Sequence, residues 1–212
     1  MNLTHGIILS AVLAFPGIGS HAAELRSVID TAQVKAAQQR GAIFWDVRDE
    51  EDYRAGHIPG SVSIGDAQRV LRDENNEDYL PVEEIAETLG GAGIDLAKEI
   101  VVYGAKAHTA PYFALVTLQY FGAKNLFVYH GGIDDWRASN GQLDKDPAQR
   151  QPLTLKLAPN PNVVIGTKDV LACLNNKDVQ ILDARGPREF SGEDMRALRG
   201  GHIPGALNLP VV

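Results

Sequence analysis

The chain has 212 residues, 44% hydrophobic and 22% charged, which is enough to bury one or two cores and unlike the composition of a disordered protein. Its net charge of −7 and pI near 5.3 argue against nucleic acid as a partner, because phosphate binding needs a concentrated basic surface. The single cysteine, Cys173, excludes an internal disulfide and any metal site built from several cysteines.

The N-terminal residues differ from the rest of the chain. Residues 7–18 form an apolar run, and Ser20 and Ala22 place small residues before a cleavage point. This pattern predicts a secretory signal peptide over residues 1–22 and an exported protein, with a bacterial periplasm as the expected compartment. The run is too short for a membrane span, which needs about 20 apolar residues. Because the run is preceded by no Lys or Arg, an apolar N-terminal helix of a cytosolic protein is the alternative.

Residues 24–143 alternate between strand-like and helix-like segments. The expected helices are 30–40, 50–55, 81–89, 109–121 and 133–139, and the expected strands are 42–47, 62–64, 99–103 and 125–129. Continuously apolar strands that alternate with helices predict an α/β fold, with a parallel sheet covered by helices on both faces. The functional groups of such a fold are expected at the ends of its strands.

Capping residues predict where these helices begin and end. Three helix N-termini are expected to be capped by side chains, the first by Asp30 or Thr31 and the others by Asp49 and Thr109. Gly41 is expected to end the first helix and the pair Gly90-Gly91 the third.

The composition changes at residues 144–161, where four prolines stand among polar residues. This segment is interpreted as a linker that lies extended along the preceding domain. Beyond it, a helix over 167–175 and a strand over 179–183 are expected.

One motif occurs twice. Each copy has a short apolar run that ends in Asp-x-Arg, then a helical turn, then a Gly-His-Ile-Pro-Gly corner and a second apolar run. The first copy contains Asp46, Arg48, His57, Pro59 and Gly60, and the second contains Asp183, Arg185, His202, Pro204 and Gly205. The copies are a domain length apart, so they indicate two similar domains rather than a solenoid, whose repeats span about 20–50 residues.

Asp-x-Arg followed by His-Ile-Pro-Gly-Ser/Ala resembles the opening signature of the rhodanese family, and the tandem arrangement resembles the two-domain thiosulfate and 3-mercaptopyruvate sulfurtransferases. The resemblance implies a complete rhodanese-like domain at residues 24–143 and the N-terminal part of a second at 162–212. A unit of about 50 residues buries little surface. We therefore expect the sequence to be part of a longer protein, and the alternative is a half-domain that docks on the first.

The resemblance also implies sulfur transfer through a cysteine persulfide, with a small sulfur-containing anion as substrate and no cofactor. The cysteine would begin the loop after the central strand, where backbone amides and a helix N-terminus lower the thiol pKa. In the first domain that loop is Gly104, Ala105, Lys106, Ala107 and His108, so glycine stands in place of the nucleophile. The equivalent loop of the second domain would fall beyond Val212, so the chain as given is expected to be inactive.

The remaining candidates have two interpretations each. Lys106 and His108, with the loop amides, are candidates to bind an anion, or they are solvated residues of an inactive loop. The resemblance implies an anion-binding role for Arg185 in the longer protein. His57 and His202 each lack a second ligand nearby, so they are expected to tie their corners to a neighbouring carbonyl rather than to bind a metal.

Two further expectations complete the prediction from sequence. The Asp-x-Arg pairs are expected to bridge adjacent loops. Cys173 lies on the apolar face of a predicted helix and is expected to be a small buried hydrophobic residue.

The alternative function is a non-catalytic rhodanese-like module that binds an anion or an unidentified protein. Cysteine phosphatases, which share this fold, also need the missing loop cysteine.

Overall fold

The computed structural model describes residues 27–75, 78–196 and 198–210. The chain divides into two compact units, Met1–Asn160 and Pro161–Val212. The signal peptide expected at residues 1–22 lies outside the described residues. Within the described ranges, no helix has both the length and the apolar character needed to cross a membrane.

In the described part of the first unit, five parallel strands form one sheet. The strands are β1 (Val28–Ile29), β2 (Ile43–Asp46), β3 (Val62–Ser63), β4 (Ile100–Tyr103) and β5 (Leu126–Tyr129), in the order β1-β5-β4-β2-β3. The helices are α1 (Thr31–Gln39), α2 (Glu50–Ala55), α3 (Ala67–Val70), α4 (Val82–Gly91), α5 (Ala110–Tyr120) and α6 (Gly132–Ala138). The predicted α/β fold with a central parallel sheet is confirmed.

Alternating side chains of the central strands build a hydrophobic core on each face of the sheet. Trp45 and Val102 point into one cluster, which contains residues of α3, α4 and α5. Phe44 and Val101 point into the other, which contains residues of α1 and α6. Because successive strand residues face opposite sides, a strand covered on both faces must be largely apolar, as β2 is up to its last residue, Asp46, and as β4 is throughout.

The helix caps agree only partly with expectation. Asp30 caps α1 as predicted, since its Oδ1 accepts a hydrogen bond from the amide of Gln33 at 2.9 Å. The predictions for Asp49 and Thr109 are wrong, because within the described residues neither side chain makes a capping hydrogen bond. The ring of His108 takes that role at α5, where its Nδ1 accepts from the amide of Ala110 at 3.2 Å.

Residues 144–160, here called the strap, cross the first unit without forming a helix or strand. The amide of Leu153 donates to the carbonyl of Gly90 at 3.0 Å, and Leu155 and Leu157 pack against the core. Gly90 lies inside α4 and does not end it, contrary to expectation. A Cβ at this position would overlap the carbonyl oxygen of Leu153. The glycine is thus required for close packing of the strap on the helix.

The described part of the second unit contains α7 (Thr167–Cys173), β6 (Leu182–Asp183), α8 (Pro187–Ser191) and β7 (Leu207–Asn208), with β6 and β7 paired in parallel. Leu182 and Ile203 are 57% and 41% exposed, whereas their counterparts in the first copy, Trp45 and Ile58, are fully buried. The second copy therefore has the local elements of the first without its hydrophobic core.

Candidate functional site

A buried ion pair fixes the end of β2. The guanidinium of Arg48 binds both carboxylate oxygens of Asp46, with Nη2 to Oδ2 at 2.6 Å and Nε to Oδ1 at 3.0 Å. The same Nη2 donates to the carbonyl of Gly56 at 2.9 Å. Asp46 and Arg48 thus join the strand end to the Gly-His-Ile-Pro-Gly corner, which is the bridging role predicted for them.

The corner itself is held by His57. Its Nδ1 lies 2.9 Å from the carbonyl of Tyr53, and a carbonyl can only accept, so Nδ1 carries the proton. The imidazole also stacks on the Tyr53 ring, with centroids 3.9 Å apart. His57 is fully buried, and its Nε2 has no hydrogen-bond partner among the described residues. The histidine therefore has the structural role that was expected.

Tyr103, at the end of β4, also binds the residues of this corner through its hydroxyl group. Its hydroxyl accepts from the amide of Ile58 at 3.0 Å and donates to Oγ of Ser61 at 2.9 Å. Burial raises the pKa of Tyr103 well above its usual value, so the phenol stays neutral and keeps its proton for that bond. No pattern in the sequence predicts this contact, which joins residues far apart in the chain.

The second corner repeats these contacts. Nη2 of Arg185 binds Oδ2 of Asp183 at 2.6 Å and the carbonyl of Gly201 at 2.9 Å. Nδ1 of His202 lies 2.8 Å from the carbonyl of Phe190, and the two rings stack with centroids 3.6 Å apart. Gly60 and Gly205, which follow Pro59 and Pro204, have φ of +79° and +81°. The two motifs share one local structure, which agrees with an internal duplication.

The second pair differs from the first in that its arginine is about half exposed, and its electrostatics can be tested. Hydrogen bonds from Arg185 lower the pKa of Asp183 from 3.8 to about 2. Because the folded pKa lies below the unfolded value, the pair stabilises the corner above pH 4 and loses this effect as the pH falls through about 2. We expect the Asp183 side-chain carbon resonance to titrate with a midpoint near 2. Substitution R185Q should return the midpoint toward 3.8, and a normal midpoint in the unsubstituted protein would contradict the prediction.

The loop at residues 104–108 lies between β4 and α5, as predicted, but the amides of its last three residues are already engaged. The amide of Lys106 donates to Oδ2 of Asp134 at 2.8 Å, and that of Ala107 to the carbonyl of His130 at 3.1 Å. The amide of His108 donates to the carbonyl of Ala105 at 3.2 Å. An external anion would have to displace the carboxylate of Asp134 from this loop.

The Lys106 ammonium is also paired. Its Nζ donates to Oδ1 of Asp135 at 2.8 Å, and this hydrogen bond raises the Lys106 pKa. Asp134 and Asp135 were not among the residues singled out from the sequence. Their position in the first turn of the helix after β5 is the available signal, since neighbouring parallel strands end at the same edge of a sheet.

Gly132 brings α6 against this loop. Its φ is +54°, and a Cβ there would overlap the carbonyl oxygen of Gly104 and approach the backbone of Ala105 and Lys106. Ile133 completes the contact, because its amide donates to the carbonyl of Gly104 at 2.9 Å. A Cβ at Gly104 would lie 3.2 Å from Pro111 Cγ, so any side chain there would need a small shift of its neighbours.

The single thiol is less buried than expected. Cys173 ends α7 and is half-buried. In the part of the chain that the structure describes, no group of three or more His, Cys, Asp or Glu side chains is arranged to hold a metal ion.

Together, the central parallel sheet and a strand-to-helix loop at the carboxyl end of β4 define an open α/β domain of the class in which ligands bind beyond the carboxyl ends of the strands. The sequence model of one protein family, the rhodanese-like domain, matches residues 30–139. The chain therefore belongs to the rhodanese family.

Two relatives of the chain are named as thiosulfate sulfurtransferases, one of them as putative. The chain is 32% identical over 170 residues to a thiosulfate sulfurtransferase of Corynebacterium glutamicum, covering 74% of this chain and 56% of that protein. It is 30% identical over 169 residues to a putative thiosulfate sulfurtransferase of Haloferax volcanii, covering 76% and 58%. The chain thus spans little more than half the length of these relatives.

A solved structure is similar over most of the chain. The 3-mercaptopyruvate sulfotransferase SseA from Escherichia coli superposes with a TM-score of 0.76 at 26% identity, covering 87% of this chain and 74% of that one. This similarity agrees with the parallel-sheet architecture described above.

Proposed function

We propose that this sequence is part of an exported tandem sulfurtransferase of the rhodanese type. Such an enzyme moves sulfane sulfur from thiosulfate or 3-mercaptopyruvate to a thiophilic acceptor through a cysteine persulfide. The observation that carries the proposal is the repeat of one corner in both units, which matches the tandem organisation. The sulfurtransferase relatives support it.

The first unit has a structural role in this proposal. Persulfide formation needs a thiolate at the start of the β4–α5 loop, and Gly104 has no sulfur to offer. The catalytic cysteine would then belong to the second domain. Arg185, whose side chain is 46% exposed, would help to hold the anionic sulfur donor there with the donor groups that it does not use on Asp183 and the Gly201 carbonyl.

The alternative of a non-catalytic module that binds an anion at the first loop has weaker support. Asp134 already accepts from the Lys106 amide, and Asp135 already pairs with the Lys106 ammonium. The loop therefore presents two carboxylates where an anion would be expected to bind, and like charges repel.

The activity test compares two polypeptides in a thiosulfate:cyanide assay. The chain that ends at Val212 is expected to show no turnover above buffer, since Gly104 cannot form a persulfide. A longer product of the same gene, read in frame past Val212, is expected to be active and to lose activity when its loop cysteine is replaced by alanine. Protein-dependent turnover by the 212-residue chain would contradict the assignment of the nucleophile.

Export is tested on the same longer product. Expression in a bacterium with a periplasm is expected to yield a processed protein that begins at Ala23. A cytosolic product that retains residues 1–22 would contradict the proposed signal peptide.

A further inference from the structure

A groove of about 770 Å³ lies between α4 and the strap, away from the candidate loop. Its helix wall is one face of α4, and its other wall is strap residues 152–157. The groove is lined by Val82, Glu83, Ala86, Glu87, Gly91, Pro152, Leu153, Thr154, Leu155, Lys156 and Leu157. Its size is within the range of pockets that bind ligands in proteins, about 300–1,000 Å³.

The strap wall has the properties of an unpaired strand edge. Leu153, Leu155 and Leu157 are half-buried, whereas Thr154 and Lys156 between them are exposed, which is the alternation of an extended chain. Among the described residues of this wall, Leu153 is the one that forms a main-chain hydrogen bond to α4. Within the described residues, the main-chain groups of residues 154–157 form no hydrogen bond. Such an edge offers donors and acceptors to another extended chain.

The helix wall is acidic. Glu83 and Glu87 lie one helical turn apart, and neither forms an ion pair within the described ranges. Lys156 supplies the positive charge of the lining, so carboxylates outnumber ammonium groups. A segment that lies along this wall gains from Lys or Arg side chains. Ala86 and Gly91 leave room beside the carboxylates for small aliphatic side chains.

We propose that this groove binds an extended peptide with alternating aliphatic and basic side chains, which adds as a strand beside the strap. The free main-chain groups of the strap select an extended backbone, and the two glutamates select its charge. A small apolar ligand would leave the main-chain groups unsatisfied, so a peptide is the better fit.

The test uses the 212-residue chain and a fluorescent, end-blocked seven-residue peptide of alternating valine and lysine. Gly91 is suited to a blocking substitution, since no described atom lies within 4 Å of an added Cβ and it ends a helix. Substitution G91F should fill the groove and weaken binding, measured by anisotropy, at least about tenfold. The matched variant G91A should bind like the unsubstituted protein, and both variants should keep its thermal unfolding midpoint or raise it.

Two further comparisons test the chemistry of the peptide. A peptide N-methylated at the alternate residues whose amides face the strap cannot donate hydrogen bonds along that edge, and it is expected to bind at least about tenfold more weakly. Substitutions E83Q and E87Q together should weaken binding and reduce its dependence on salt. The proposal is overturned by peptide that does not bind at millimolar concentration, by equal binding to G91F and G91A, or by equal binding of the N-methylated peptide.

Discussion

Replacing Asp46 with alanine is expected to lower the free energy of unfolding of the first unit by about 3–5 kcal/mol. The guanidinium of Arg48 would remain buried beside an empty space, with only the carbonyl of Gly56 as a partner. Urea unfolding followed by tryptophan fluorescence measures the loss, since Trp45 lies in the same strand and is fully buried.

The duplication supplies the control for this experiment. Asp183→Ala removes the same hydrogen bonds from a pair whose arginine is about half exposed, so solvent can take the place of the lost carboxylate. We expect a clearly smaller loss than at Asp46, and amide hydrogen exchange measures it at both positions because the two tryptophans, Trp45 and Trp136, lie in the first unit. Equal losses at the two positions would contradict the argument that burial of the charge sets the cost.

Gly132→Ala is expected to destabilise the first unit by about 2–5 kcal/mol, because two penalties add. A residue with a Cβ at φ of +54° costs about 1–2 kcal/mol. The Cβ would also overlap the carbonyl oxygen of Gly104, and such overpacking costs about 1–3 kcal/mol. Hydrogen exchange of the Ile133 amide, which donates to Gly104, should become faster.

Gly41→Ala separates the two penalties. Gly41 has φ of +78°, but no described atom lies within 4 Å of an added Cβ. This variant should therefore show the conformational cost alone, about 1–2 kcal/mol. If both variants lost the same stability, the close contact between α6 and the β4–α5 loop would have no energetic weight.

Features set by neighbouring residues were predictable from the sequence. The apolar strands β2, β4 and β5 have continuous patterns that belong to a sheet covered on both faces, and each was found within the expected range. The capping box of Asp30 and Gln33 depends on four consecutive residues. The ties made by His57 and His202 also depend on short segments that recur as a motif.

Features set by distant residues were not predictable. The carboxylate of Asp134 reaches the Lys106 amide only because β4 and β5 are neighbours in the sheet. Gly90 had the composition of a helix stop, and only the position of Leu153 shows why a glycine is needed inside α4. Thr109 had the right chemistry for a cap, but His108 performs that role. In each case a contact across the fold replaced a local preference.

The corner at His57 is enclosed by a hydrophobic core, and the corner at His202 is open to solvent, yet both keep the same ion pair, carbonyl tie and stacked ring. A shape that persists in such different surroundings is dictated by its own short sequence. The conformation of the corner is therefore independent of the residues in the adjacent loop. The corner can therefore form whatever residue stands at the start of the loop after β4, where this chain has Gly104.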